Sequence, residues 1–325
     1  MRTYIWLFWG ISFFLFPSLG LTVQKLELGI VTKPGSAQYI VADTFKKILE
    51  HKSKGTFTVK IYHSASLGNE TKILRQLQKG SVHLGVLTVK PFETVAPIVR
   101  VINYPFLFKD NQQVDTILDG PLGKELLEAL GPRGLKGLAF SESGFRNLTN
   151  NRREVKTAQD VKGLKIRVLS SPPHREIWQA LGADPTLVPW PIYGALQRGD
   201  IDGQENPLWV MDVYNFFEVQ KYVTMSRHIY SAHIDVASMI WWKKLSPKTQ
   251  EMIQKAMHQA AVVQRKKNRK KERQRLQILR SQGMMVQEQP DIHSFREKAA
   301  DLKHLEFYST PEVQQLLVKM LEATR

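Results

Sequence analysis

Apolar and polar residues alternate along this chain in two ways, and the pattern switches repeatedly between them. From Leu164 to Leu169 every second residue is apolar, which predicts a short strand with one buried face. His174 to Leu181 has helical spacing, Thr186 to Val188 predicts a second strand, and Tyr193 to Arg198 predicts a second short helix. The segment from Gly163 to Leu208 therefore has the order strand, helix, strand, helix, strand.

The same order occurs earlier in the chain. Lys25 to Val31, Phe57 to Tyr62 and Leu84 to Thr88 are predicted strands, and the segments Ala37 to Lys52 and Thr71 to Lys79 between them are predicted helices. Strands that alternate with helices predict a largely parallel sheet, with ligand sites beyond the carboxyl ends of its strands.

Further along, Val114 to Leu130 is predicted to form one helix and Gly137 to Ser141 a strand that leads into a second lobe. The segment from His228 to Trp242 is dense in aromatic and apolar residues, and we expect Trp241 and Trp242 to belong to the core.

A very long helix is predicted near the end of the chain. Ser246 and Pro247 form a start signal, and neither Gly nor Pro follows until Gly283, so the helix is about 36 residues and roughly 50 Å long. Its basic run, Arg265 to Arg275, has almost no acidic residues to pair with, so we expect an exposed face that does not contact a ligand. A last amphipathic region, Leu302 to Leu321, is predicted to pack on the second lobe.

The first twenty residues read as a secretory signal. A basic Arg2 is followed by an apolar run from Tyr4 to Phe16 and by small residues at Ser18 and Gly20. The alternative is an uncleaved membrane anchor, but this run is shorter than the ~20 residues that a spanning helix needs. We expect a soluble periplasmic protein that begins near Leu21.

Composition narrows the possible chemistry. The 325 residues, 42% hydrophobic, suffice for two ordinary domains, and the absence of cysteine excludes disulfides and thiolate sites. The formal net charge of +16 favours anionic partners without saying whether these are small acids, membranes or nucleic acid.

Catalytic motifs such as GxSxG, HExxH or a phosphate-binding glycine loop do not occur in the sequence. Asp200, Asp202 and Glu205 are the one group that suggests acid–base or metal chemistry, although strand alternation separates Glu205 from the other two. Arg167 suggests binding instead, because a planar guanidinium on a rigid strand beside the core suits a carboxylate.

The motifs of the chain resemble those of one family, the solute receptors of tripartite ATP-independent periplasmic (TRAP) transporters. They are GLKIR at 163–167, ALGADPT at 180–186, ALQRGDIDGQENP at 195–207, LGNE at 67–70, YPFLF at 104–108, GFRNLTN at 144–150 and FFEVQKYVT at 216–224. These blocks run in family order through most of the mature chain.

The resemblance implies an α/β, two-lobed periplasmic-binding-protein-like fold with a long helix spanning both lobes. After the signal peptide at 1–20, lobe I comprises 21–143 plus 232–271, and lobe II comprises 144–231 plus 272–325. The implied function is capture of an organic acid, of the dicarboxylate-receptor type, for TRAP membrane subunits, without enzymatic chemistry, cofactor, metal or nucleic acid.

The resemblance also assigns roles to five residues. Arg167 forms the main salt bridge to the substrate carboxylate, Arg146 adds a second contact, and Asn206 donates from its amide. Trp190 packs on the ligand, and Glu70 occupies the acidic position of the LGNE motif. Two departures are the segment Trp190 to Tyr193, one residue shorter than the family spacing, and Arg152-Arg153-Glu154 in place of Arg-Pro-Ile.

Several alternatives remain open. Arg167 could pair with Glu205 as a structural arginine, Arg146 could be a solvated loop residue, and Trp190 could be core. The protein could be the sensing receptor of a signalling system, or bind an anionic surface or nucleic acid through the basic run at 265–275. Contact of that run with the inner membrane surface is a further expectation.

Overall fold

The computed structural model describes residues 23–324, so the predicted signal at 1–20 lies outside the described residues. Two β-sheets form the framework, with helices packed around each. The eleven strands are β1 Gln24–Gly29, β2 Phe57–Tyr62, β3 Leu84–Thr88, β4 Leu135–Phe145, β5 Asn147–Asn150, β6 Lys165–Val168, β7 Asp184–Leu187, β8 Gly203–Asn206, β9 Tyr222–Thr224, β10 Tyr230–Ser238 and β11 Met285–Gln287.

The first sheet has five strands in the order β2-β1-β3-β10-β4, and the second has six in the order β11-β9-β5-β8-β6-β7. We call the parts of the molecule around them the five-stranded half and the six-stranded half. Strand β10 is antiparallel to β3 and β4, and β5 is antiparallel to β8 and β9. Four of the five strands of the first sheet and five of the six strands of the second run in the same direction, so the expectation of largely parallel sheets is confirmed. Each sheet contains one antiparallel strand that was not predicted, β10 in the first and β5 in the second.

Eleven α-helices are described: α1 Ala37–Lys52, α2 Glu70–Lys79, α3 Asn111–Leu118, α4 Pro121–Glu128, α5 Pro172–Ala180, α6 Tyr193–Arg198, α7 Leu208–Val213, α8 Met239–Trp242, α9 Pro247–Ser281, α10 Ile292–Ala299 and α11 Pro311–Ala323. The single helix predicted from Val114 to Leu130 is instead two, α3 and α4. They separate at Gly120 and Pro121, since proline cannot continue the hydrogen-bond ladder of the preceding helix.

Helix α9 confirms the predicted long helix. It has 35 residues, and the Ser246 side chain caps it by accepting a hydrogen bond from the backbone N–H of Thr249. Ile253 to Ala261 supply apolar contacts to the core of the five-stranded half, and Leu276 and Leu279 supply them to the six-stranded half. One continuous helix thus joins the two halves.

The last helix departs from the prediction. Residues 302–321 were expected on the second lobe, but the apolar face of α11 enters the core of the five-stranded half through Val313, Leu316, Leu317 and Met320. The segment that it packs against is the 3-10 helix Pro97–Asn103. The assignment of residues 272–325 to one lobe is therefore wrong for this helix, because its apolar face matches a groove in the other half.

Trp242 is buried in the core of the five-stranded half and Trp241 packs against it, which confirms that this pair is structural. Within residues 23–324, none of the helices combines the length and the apolarity needed to cross a membrane.

Candidate functional site

A cavity of about 500 Å³ lies between the two halves. All five residues predicted for the site, Arg167, Arg146, Asn206, Trp190 and Glu70, line it. Glu70 belongs to the five-stranded half, and the other four belong to the six-stranded half or to its junction with the first. Side chains from distant parts of the sequence are therefore brought together around one space.

Arg167 is held on β6 with 5% of its surface exposed. Its Nε donates to the Val188 carbonyl at 3.0 Å, and no carboxylate in the described part of the chain forms an ion pair with it. Burial lowers the pKa of Arg167 to about 10, against the attraction of Glu205, so the guanidinium stays charged at neutral pH. The cavity thus contains a buried cation without a counter-ion in direct contact.

Glu205 pairs with Arg146 rather than with Arg167. The Arg146 Nη2 donates to Glu205 Oε1 at 2.8 Å, its Nε donates to Oε2, and both side chains are buried. Burial alone would raise the pKa of Glu205, but Arg146 and then His174 hold it well below its usual range. The alternative in which Arg167 is neutralised by Glu205 is therefore wrong, and so is that of a merely solvated Arg146.

Two histidines complete the surroundings of Glu205. His174 Nδ1 lies 3.3 Å from Oε1, and His228 Nε2 lies 3.1 Å from Oε2. Burial lowers the pKa of both histidines despite the nearby carboxylate, so the single negative charge of Glu205 balances the single positive charge of Arg146. Sequence reasoning missed both histidines, because nothing in their local pattern marks them.

Asn206 is fixed beside this cluster at the carboxyl end of β8. Its Oδ1 accepts from Arg146 Nη2 at 3.1 Å, and its Nδ2 donates to Gln204 Oε1 at 2.5 Å. The amide is therefore oriented before any ligand arrives, as a preorganised donor requires.

Glu70 is the first residue of α2 and reaches the opposite wall of the cavity. Its carboxylate accepts from the Thr88 backbone N–H at 2.9 Å, from the Thr88 hydroxyl and from Gln38 Nε2 at 3.0 Å. Burial raises the pKa of Glu70, and the hydrogen bonds from Thr88 oppose this shift.

Trp190 is 39% exposed, so the interpretation of this residue as core is wrong. Its ring meets Tyr214 edge-on with ring centroids 4.7 Å apart, and the Trp190–Pro191 peptide is cis. Together these rings form an aromatic wall of the cavity, in the segment where the sequence departs from the family spacing.

The predicted set also missed other cavity residues, among them Gln38, Thr88, Lys90 and His233. Thr88 ends β3, and Lys90 follows it, so the rule that ligand sites lie beyond strand ends could have found both. His233 is opposite Thr88 in the β3–β10 pair, and its Nδ1 is buried without a hydrogen-bond partner in the described part of the chain. Its position in the middle of a strand gave no signal.

The acidic group considered for enzymatic chemistry is dispersed. Asp200 pairs with Arg198 at 2.6 Å on the surface, Asp202 accepts from the Lys165 backbone N–H at 2.9 Å, and Glu205 is buried with Arg146. Among residues 23–324, no cluster of His, Asp and Glu has the arrangement of a metal site.

The basic run was predicted as an exposed face without acidic partners, and this is wrong for one side of the helix. Its buried side forms ion pairs with acids from distant segments: Arg265 with Asp119, Arg269 with Asp115 and Glu142, and Arg275 with Asp212. Sequence proximity could not reveal these partners. None of the run lines the cavity, as predicted.

Two α/β halves joined by a long helix, with a buried cationic cavity between them, define a two-lobed solute-binding protein. The sequence model of "Bacterial extracellular solute-binding protein, family 7" matches residues 28–310. The chain belongs to this family, which consists of solute-binding proteins.

Similar proteins include the 2,3-diketo-L-gulonate-binding periplasmic protein YiaO of Escherichia coli K12, 33% identical over 252 residues, or 77% of each chain. A solute-binding protein of Verminephrobacter eiseniae is 33% identical over 262 residues, 80% of this chain and 78% of the relative.

Solved structures give the same result. A TRAP periplasmic solute-binding protein from Polaromonas sp. JS666, bound to D-erythronate, has a TM-score of 0.86 at 30% identity, covering 91% of this chain and 98% of its own. The sugar acid binding protein DctPAm of Advenella mimigardefordensis, in complex with galactonate, has a TM-score of 0.87 at 30% identity, covering 93% and 98%. These matches confirm the predicted fold and the family resemblance.

Proposed function

We propose that this protein is a periplasmic receptor that binds an organic acid between its two halves and delivers it, chemically unchanged, to the membrane subunits of a TRAP-type transporter. The observation that carries the proposal is Arg167. A buried guanidinium without an ion-pair partner is costly unless an anion meets it, and a carboxylate can accept two parallel hydrogen bonds from it.

The other predicted residues take secondary roles. The amide of Asn206 is positioned to donate to the same carboxylate, and Arg146, whose charge is balanced by Glu205, supplies the second contact predicted for it. Trp190 and Tyr214 supply an apolar wall for the carbon skeleton.

The opposite wall suggests a hydroxylated acid. Glu70 and Lys90 both line the cavity and have opposite formal charges, which leaves Arg167 as the unbalanced cation. A single carboxylate would neutralise the site, while the Glu70 carboxylate is an acceptor for hydroxyl groups of the ligand. The names of similar proteins, which refer to diketogulonate, erythronate and galactonate, support this choice.

Ligand binding is expected to favour the closed arrangement of the halves. Arg167 and Glu70 lie on different halves, so a ligand contacts both only when the cavity is closed, and this differential affinity drives closure.

The test begins with mass spectrometry of small acids released from the purified protein, followed by titration calorimetry with each acid found. D-erythronate, galactonate and succinate serve as probes if the protein is purified empty. Saturable binding of an acid supports the proposal. Absence of binding to every released or added acid, by a protein that melts cooperatively, would contradict it.

A further inference from the structure

The middle of α9 carries a row of lysines that ligand binding does not use. Lys266, Lys267, Lys270 and Lys271 are exposed, and we call them the lysine ridge. None of the four forms an ion pair within residues 23–324, and none lines the cavity. The exposed Arg273 extends the ridge, which spans roughly 10 Å of helix.

Repulsion among the lysines of the ridge destabilises the helix. Lys266 and Lys270, and likewise Lys267 and Lys271, are four residues apart, where like charges on a helix repel each other. Exposed positions tolerate Glu or Gln equally well, and either would remove this repulsion. Four lysines kept together against this cost indicate a surface with a partner rather than a merely solvated face.

The opposite side of the same segment explains how the helix tolerates the repulsion. Three arginines there are anchored to acids of the two halves: Arg265 to Asp119 and Arg269 to Asp115 in the five-stranded half, and Arg275 to Asp212 in the six-stranded half. These pairs hold the ridge on a fixed helix between the core contacts of Ala261 and Leu276. Three of the four arginines of the basic run thus lie on the side with acidic partners, and all four of its lysines lie on the exposed side.

This segregation indicates the chemistry of the partner. Arginine suits specific, two-bonded recognition of a carboxylate, whereas lysine is a strongly hydrated point charge that suits a diffuse anionic field. Protein interfaces usually centre on aromatic residues or arginine, but the exposed part of this segment has no aromatic side chain. Ile278, 40% exposed, is the one large apolar residue with high exposure among the described residues of α9.

We propose that the lysine ridge is a docking surface for anionic phospholipid headgroups. Basic residues near a negatively charged membrane each gain attraction that fades within a Debye length, so the association is weak, reversible and sensitive to salt. Docking would hold the receptor close to the membrane without occupying its ligand cavity.

The test compares the full-length mature protein with two variants of equal charge. The ridge variant replaces Lys266, Lys267, Lys270 and Lys271 by Gln. The control variant replaces four exposed lysines elsewhere by Gln, at Lys52, Lys243, Lys244 and Lys248. Sedimentation with vesicles of phosphatidylglycerol and phosphatidylcholine, and with phosphatidylcholine alone, measures binding at low and high salt.

We expect wild type and the control variant to bind the anionic vesicles at low salt and the ridge variant to bind at least about tenfold more weakly. The ridge variant should also melt at a higher temperature, because the repulsion is relieved. Equal loss in both variants would mean that net charge alone matters, and the proposal would be wrong. It would also be wrong if wild type ignored anionic vesicles but bound purified transporter membrane subunits through the ridge.

Discussion

Arg146 and Glu205 form a buried ion pair in which Arg146 Nη2 lies 2.8 Å from Glu205 Oε1. Because Glu205 is paired with Arg146, its carboxylate is not available to neutralise Arg167. Because the internal charges of Arg146 and Glu205 balance, the cation that remains for an incoming anion is Arg167. The main electrostatic feature of the cavity is that Arg146 is paired with a carboxylate of the protein whereas Arg167 is not.

The first prediction concerns this pair. Glu205→Gln should destabilise the protein by roughly 3–5 kcal/mol, since it leaves the Arg146 guanidinium buried without its counter-charge. Urea denaturation measures the change. Asp200→Asn is the control, because its partner Arg198 is exposed and the loss should stay below about 1 kcal/mol. Equal small losses in the two variants would contradict the assigned role of Glu205.

Arg167→Lys should weaken binding of the identified acid by about 2–4 kcal/mol, on the order of 30- to 1000-fold. Lysine keeps the charge but cannot make two parallel hydrogen bonds to a carboxylate. Arg146→Lys and Asn206→Ala should weaken binding less, as expected for secondary contacts. Titration calorimetry gives the affinities, and a melting curve of each variant shows whether it is folded. Normal affinity in a folded Arg167→Lys protein would make Arg167 a structural residue.

Much of the fold was predictable because its signals are local. The bounds of α1, β2, β3 and α6 agree with the alternation of apolar residues and with nearby glycines, and the start of α9 agrees with its Ser-Pro signal. What failed depends on distant parts of the chain. The antiparallel strands β5 and β10 and the placement of α11 on the five-stranded half are set by tertiary packing, which periodicity does not record.

The site shows the same limit. The five residues assigned by family motifs do line one cavity, but their pairings could not be predicted. Glu205 could have paired with either arginine, and only the geometry of β8 and the segment before β5 selects Arg146. Lys90 and His233 lie outside the family motifs quoted above, so neither composition nor resemblance indicated them.

The exported protein should begin near Leu21, since small residues at Ser18 and Gly20 follow the apolar run. N-terminal sequencing of protein recovered from the periplasm tests this. Recovery of intact residues 1–20 in a membrane fraction would favour the anchor instead.

His233 should make stability depend on pH. Burial lowers the pKa of His233 to about 3, below its ordinary value of 6.5, so the unfolded chain binds a proton more readily than the folded protein. Its contribution to stability is complete above about pH 6.5 and is lost as the pH falls toward about 3. From about pH 7 to about pH 5, this residue should account for a loss of roughly 2 kcal/mol.

Two variants isolate this effect. His233→Leu removes the buried histidine, and His304→Leu, the control, removes an exposed one. Urea denaturation at both pH values should show a shallower loss of stability for His233→Leu alone. A loss as steep as that of wild type would mean that His233 becomes protonated in the folded protein.

A last prediction concerns Ser171 and Glu93, which join the two halves and are separate from the Arg146–Glu205 pair. The Ser171 hydroxyl, before α5 in the six-stranded half, lies 2.8 and 2.9 Å from the carboxylate oxygens of Glu93 in the five-stranded half. Both residues are buried, and burial raises the pKa of Glu93 even though Ser171 and Asn103 donate to it. This contact exists only while the halves are together, so it should stabilise the closed state. Ser171→Ala should therefore weaken ligand binding by about 0.5–1.5 kcal/mol, or roughly 2- to 13-fold, without contacting the ligand's carboxylate.

Calorimetry with the identified acid measures this loss, and small-angle X-ray scattering of the ligand-free variant should show a larger radius of gyration than wild type. Ser309→Ala is the matched control, because its hydroxyl donates to the Glu306 carbonyl three residues away and does not join the halves. Since that bond is the same in open and closed states, its loss should leave affinity unchanged. If Ser171→Ala binds as tightly as Ser309→Ala, the contact between Ser171 and Glu93 does not contribute to closure, and the cavity residues alone must supply the free energy that brings the halves together.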